Sequence, residues 1–211
     1  MTLPKNNFIQ LFFLLISLIS TFDALAADTN KSSYNYIDEA VLIRTEQWLA
    51  LMEGAQLDTD ALKLKLVNDF FNQNITFADD INLWNTPDYW ATPTEILTAG
   101  AGDCEDYSIA KYFALLELGI DADKLRITYV KSKHHQQAHM ILSYFSSPGA
   151  TPLVLDNLIP EIKSADQRHD LLALFSFNDS GLWLSQSNGK QQKISNSSAL
   201  TKWKNLKMRM L

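Results

Sequence analysis

At Gly119 the apolar pattern of the chain changes period, and no other feature restricts the fold as much. Before that point apolar residues recur at helical spacing. Ala40, Val41, Trp48 and Leu51, with Arg44, predict a helix over 36–52 that stops at Gly54. Asp58 or Thr59 caps a second helix running to about Phe71. A third spans about 104–118, opened by the permissive turn Gly100-Ala101-Gly102 and closed by Gly119 at its C′ position. After Gly119 the period is two. Residues 125–131, 138–144 and 152–158 read as strands separated by polar or Pro-Gly turns. Helices first and strands afterwards predict an α+β fold with an antiparallel sheet. The third helix is apolar on most sides (Tyr107, Ile109, Ala110, Phe113, Leu116), so it is expected to be central and buried. Residues 72–93 are irregular and hold Phe77, Trp84, Tyr89 and Trp90. These rings either complete the core or wall a substrate groove, and both readings stand.

The N-terminus reads as an export signal. Lys5 precedes an apolar run over 8–19, and Ala24-Leu25-Ala26 is a small-residue cleavage site. This predicts a signal peptide over 1–26 and one domain over 27–211. The run is shorter than the roughly 20 residues a bilayer span needs; an uncleaved anchor is the other reading. No later segment is apolar enough to insert stably in a membrane. Charge is uneven. Past Asp179 there are six basic residues and no Asp or Glu, which leaves 12 basic against 24 acidic residues elsewhere. An acidic body argues against nucleic acid as a partner and is compatible with cation binding. In the basic tail Leu200, Trp203, Leu206 and Met210 share a helical face, which favours a docked terminal helix over an arm for acidic partners or lipid.

Cys104 is the only cysteine, so no intramolecular disulfide exists, and in an exported chain an idle thiol is a liability. The glycine turn places it in the first turn of the third helix. There, free N–H groups and the helix dipole favour a thiolate and can hold an oxyanion. Asp103, Glu105 and Asp106 oppose this by raising the thiol pKa. Those acids either cap the helix or collect a calcium ion that cancels their charge, and the residues alone leave both open. Downstream, a hairpin folded about the Ser147–Pro148 bond would set His139 directly opposite Asp156, with Cβ atoms about 4.5–5.5 Å apart. Cys104, His139 and Asp156 would then be nucleophile, base and orienting carboxylate. His134 and His135 lie in a polar turn and His169 in a charged segment, all read as solvated; without a second cysteine they make no convincing zinc site.

These residues resemble the LapG-type periplasmic cysteine proteases, the bacterial transglutaminase-like cysteine protease family. The matching text is Asp88-Tyr89-Trp90-Ala91-Thr92-Pro93-Thr94-Glu95, Gly102-Asp103-Cys104-Glu105-Asp106-Tyr107, Ala138-His139-Met140, Leu153-Val154-Leu155-Asp156-Asn157 and Phe175-Ser176-Phe177-Asn178. The resemblance implies a papain-like, transglutaminase-type core with Cys104, His139 and Asp156 as catalytic triad and Asp103 and Glu105 as calcium ligands. It further implies cleavage of the N-terminal retention region of a giant outer-membrane adhesin at a pair of alanines, which disperses a biofilm. An inner-membrane receptor of the LapD type is implied as inhibitor when cyclic di-GMP is high. The same three residues serve a transglutaminase or amidase, in which an amine replaces water as acyl acceptor. A binding module that kept the fold would need none of the three, and all are present.

Overall fold

The computed structural model describes residues 39–133, 136–186, 191–197 and 200–211. The expected export signal, with its cleavage site, and the pair His134 and His135 lie outside the described residues. Among the described residues no helix is long and apolar enough to cross a membrane.

The helices form where the 3.6-residue period runs. Helix α1 (Glu39–Gly54) buries Trp48 and Met52. Helix α2 (Asp60–Asn74) is capped by the Thr59 hydroxyl, which accepts from the Leu62 N–H at 3.4 Å, and it continues three residues beyond the expected end. The aromatic stretch is less irregular than its sequence implies. It contains a two-residue strand β1 (Thr76–Phe77) and a single turn α3 (Asp80–Leu83). Helix α4 (Pro93–Ala99) carries a capping box in which Thr92 and Glu95 satisfy each other's N–H groups, with proline in its first turn. Strand β2 (Ala101–Gly102) pairs parallel with β1 and leads straight into α5 (Cys104–Glu117). Gly119, at φ +86°, closes α5 as expected: its N–H bonds Leu116 O and that of Ile120 bonds Leu115 O.

The remaining strands are β3 (Leu125–Ser132), β4 (Ala138–Tyr144), β5 (Leu153–Leu155), β6 (Lys163–Ser164), β7 (Leu171–Asn178), β8 (Gly181–Ser185) and β9 (Gln191–Ser195). They form one antiparallel sheet in the order β6-β5-β4-β3-β7-β8-β9. Ile109, Tyr112 and Leu115 of α5 share one core with Leu125, Ile127, Leu142 and Phe177 of the sheet. A C-terminal helix α6 (Thr201–Arg209) docks on that core, as its apolar face predicts. Trp203 stacks on Phe113 at 5.3 Å and meets Tyr112 and Phe177 edge-on, while Leu206 is fully buried. Burial of side chains this size stabilises by about 1.5–3 kcal/mol each.

The β4–β5 register corrects the expected one. Leu142 faces Leu155, Ser143 faces Val154 and Tyr144 faces Leu153, so His139 and Asp156 are not directly opposed. The turn closes by Ala150 N–H to Ser147 O, with Gly149 at φ +81°, which centres it on Pro148–Gly149. Moving the centre one residue shifts the pairing by two. A shift of two keeps every side chain on its face, whereas a shift of one would not. The third expected strand is also cut short: Asp156 Oδ1 turns back to accept the Leu158 N–H at 3.0 Å, which ends the ladder at Leu155.

Candidate active site

Cys104 is the first residue of α5, as the glycine turn requires. The turn is fixed from behind by the β1–β2 pair, through Thr76 N–H to Gly100 O and Ala78 N–H to Gly102 O. Gly102 has a steric reason to be glycine. A Cβ there would stand 2.8 Å from Asp106 Oδ2 and 2.9 Å from Asp106 Cβ. Gly102→Ala is therefore expected to cost about 1–3 kcal/mol of stability through overpacking and to push Asp106 aside. An unchanged thermal midpoint in that variant would show that the close packing is unimportant.

The thiol donates to Glu105 Oε2 at 3.0 Å. Burial, and then the charges of Glu105 and Asp103, push its pKa up, against the Met140 N–H that favours the thiolate. The sulfur thus sits at a helix start that favours ionisation, beside carboxylates that suppress it.

His139 begins the buried part of β4 and turns Nε2 toward Asp156 Oδ1 at 2.8 Å, both side chains being buried. Burial pushes Asp156 up, but the bond to His139, the Leu158 N–H and Arg168 outweigh it and hold the carboxyl down at about 2. The carboxylate is thus ionised at neutral pH and can only accept, so Nε2 carries the proton. Nδ1 is then the nitrogen left with a lone pair. Cys104, His139 and Met140 line the same cavity of about 350 Å³, walled by Trp90 and by the stacked pair Tyr129 and Phe175.

The acids around the thiol form a cluster. Asp103, Cys104 and Glu105 converge within 4.8 Å, and so do Asp80, Asp103 and Asp106. Burial first, then the neighbouring carboxylates, raise Asp103 to about 9, while Asp106 and Asp80 are raised to about 7 and 6, chiefly by burial. Helix capping accounts for only part of this crowding: Asp103 and Asp106 form a capping box at the start of α5. Asp106 does cap, accepting from Ala91 N–H at 2.7 Å and Asp103 N–H at 3.3 Å. Asp103 Oδ1 and Asp80 Oδ1, however, are buried without a hydrogen-bond partner among the described residues. Orphaned carboxylate oxygens converging at this spacing are a donor set fit for a hard divalent cation.

The aromatic loop both packs and walls. Trp90 stacks on Phe177 at 5.6 Å and also lines the cavity. Its indole N–H goes to Asp88 Oδ1 at 3.1 Å, so it is not free to hold an oxyanion. Helix α6 clamps this loop: Lys202 pairs with Asp88 and bonds its carbonyl at 2.9 Å, and Arg209 takes the Trp90 carbonyl and lies over the Tyr89 ring at 4.4 Å.

All five residues singled out in the sequence lie in this region, while His169 is exposed and its carbonyl accepts from Lys133 Nζ at 2.7 Å. Sequence reasoning missed Asp80, Lys111 and Arg168. Lys111 is 1% exposed and bonds Asn68, Asn72 and the Asp156 carbonyl. Arg168 is 3% exposed and bonds Asp156. Arg168 sits in a charged stretch that reads as solvated, whereas Lys111 is a lone cation in the apolar helix expected to be buried, and a single lysine there reads as the helix's solvent-facing residue.

A family model described as bacterial transglutaminase-like cysteine proteinase (BTLCP) matches residues 52–191. Among solved structures, calcium-bound LapG of Legionella pneumophila aligns at 38% identity with a TM-score of 0.72, over 82% of this chain and 92% of that one. The EGTA-treated form aligns at 38% identity with a TM-score of 0.73, over 81% and 90%. No curated protein matches the chain in sequence.

Proposed function

The chain belongs to the bacterial transglutaminase-like cysteine proteinase family, and from that premise we propose that it is a calcium-dependent periplasmic cysteine endopeptidase. On this reading it cuts the N-terminal retention region of a large surface adhesin at an alanine–alanine site, releasing the adhesin and dispersing a biofilm. The observation that carries the reading is the buried His139–Asp156 pair, 2.8 Å apart, on the cavity that also holds the helix-start thiol.

Cys104 is the nucleophile. His139 Nδ1 accepts the thiol proton as sulfur attacks the scissile carbonyl, and the N–H groups of the first turn of α5 stabilise the oxyanion. The imidazolium then protonates the departing amine, leaving a thioester on Cys104. Water, deprotonated by His139, releases the acid and restores the thiol. Asp156 holds the ring and stabilises its charged form. Asp103 and Glu105, with Asp80 and Asp106, would hold calcium; once bound, it supplies the positive charge that offsets these carboxylates beside the sulfur. The relative known in calcium-bound and EGTA-treated forms supports this assignment. The chain is exported by its N-terminal segment, and an inner-membrane receptor of the LapD type holds it inactive when cyclic di-GMP is high.

The test is incubation of the mature chain with the recombinant N-terminal region of the adhesin, calcium and a biotinylated amine. One cut with no biotin on the new C-terminus is the expected result. Biotin attached to the product would instead make the protein an acyl transferase, and an intact fragment would remove the adhesin as substrate. Adding the receptor's periplasmic domain is expected to stop the cut. In the same assay Asp156→Asn should lower kcat by about 10²–10⁴-fold without unfolding the chain, because the ring loses the negative charge that orients it and stabilises its protonated form.

A further inference from the structure

Asp156 is fixed at its backbone before its side chain is considered. Its carbonyl accepts from Asn72 Nδ2 at 2.8 Å and from Lys111 Nζ at 3.2 Å, so α2 and α5 both hold it. What stays free is rotation of the carboxylate. Oδ1 takes His139 Nε2 and the Leu158 N–H. Oδ2 takes Arg168 Nη2 at 2.8 Å. Arg168 is itself anchored by Asp170, through Nε to Oδ1 at 2.9 Å and Nη2 to Oδ2 at 2.8 Å. A planar guanidinium gripped on one edge by a carboxylate has few orientations open to it. We propose that Arg168 is a positioning residue of the active site, fixing the far oxygen of Asp156 so that the near oxygen stays aimed at His139 Nε2. The role rests on the proteolytic reading above and adds a fourth side chain to it.

Placement supports the assignment. Arg168 follows a short 3-10 turn, Ala165–Gln167, and its N–H closes on Ala165 O. The turn aims the side chain inward although the surrounding residues are charged. The guanidinium is 3% exposed and spends Nε and Nη2 on the carboxylates of Asp170 and Asp156, while Nη1 is buried without a partner among the described residues, so it is these two acids that hold it in place. The charged groups facing Asp156 are His139, Arg168 and, at its carbonyl, Lys111; Asp170 reaches it only through Arg168. Removing Arg168 leaves Oδ2 buried and unbonded, and the carboxylate rotates to find a partner.

The test uses the sole cysteine and needs no substrate. The rate of Cys104 alkylation by iodoacetamide at pH 7 in calcium is compared in the wild type, His139→Ala, Arg168→Gln, Arg168→Lys and Asp170→Asn, alongside thermal midpoints. Arg168→Gln is expected to slow alkylation about 10–100-fold, with partial recovery in Arg168→Lys and a few-fold loss in Asp170→Asn. Asp170 lies at the protein's edge and its substitution spares the buried pair, so it reports even if the Arg168 variants do not fold. Proton NMR of the His139 ring N–H gives a second readout, expected to shift in Arg168→Gln and to be absent in His139→Ala. Slower alkylation together with a shifted ring N–H supports the role. A lowered midpoint with wild-type alkylation and an unmoved ring N–H would make Arg168 merely structural and overturn it. Equal alkylation in wild type and His139→Ala would instead sink the proteolytic reading and, with it, the role built on it.

Discussion

Cys104→Ala is expected to abolish cleavage and leave the fold as it is. The sulfur is the only group at the site able to form the acyl intermediate, and loss of a covalent nucleophile costs about 10⁵–10⁶-fold in kcat. The fold should hold because the side chain is only partly buried, while its carbonyl keeps its bond to the Ser108 hydroxyl at 2.9 Å. Helix α5 starts where it does because of Gly102 and Asp103, not because of the thiol. The check is a cleavage time course paired with a thermal melt. A residual rate within tenfold of wild type would mean that another group does the chemistry.

Removal of calcium is the second large effect. Activity in excess EGTA should fall at least about 10²-fold, on the scale of losing preorganised charge at a reacting centre, and return when calcium is restored. Four carboxylates, two of them with an orphaned buried oxygen, face one another beside the thiol. Without a cation they repel, and Glu105 keeps the sulfur as its hydrogen-bond donor. The melt should move too. A site filled at about 100 times its Kd adds about 2.7 kcal/mol, or several degrees for a chain this size. Asp103→Asn separates charge from structure. Asp103, raised to about 9, is protonated at neutral pH without calcium, so the neutral amide should leave the calcium-free melting point close to that of the wild type, while the calcium-dependent rise shrinks or vanishes. Full activity in excess EGTA would return Asp103 and Glu105 to helix capping.

Much of this site can be read from residue order because it depends on local rules. The glycine turn, the acid at the N-cap and the apolar face of α5 fix where the thiol lies, and all are contained within about twenty consecutive residues. His139 and Asp156 are legible for a looser reason. The hairpin turn lies one residue beyond its expected centre, which shifts the pairing by two and so preserves side-chain parity. Arg168, Lys111 and Asp80 were not legible. A single charged residue looks solvated, and its burial is decided by elements up to about forty residues away: Lys111 by Asn68 of α2, 43 residues off, and Asp80 by the loop bond to Tyr89 N–H and the start of α5. The aromatic stretch over 72–93 was ambiguous for a real reason, since Trp90 serves core and cavity at once.

The clamp of α6 on the Asp88–Trp90 loop has a practical side. Arg209, which grips the Trp90 carbonyl, lies two residues before Leu211. An affinity tag or fluorescent fusion joined after Leu211 would begin within about three residues of a side chain that holds the cavity wall. Such reporters are expected to dull the enzyme unless a spacer precedes them, and a loop on the far side of the sheet is the safer point of attachment.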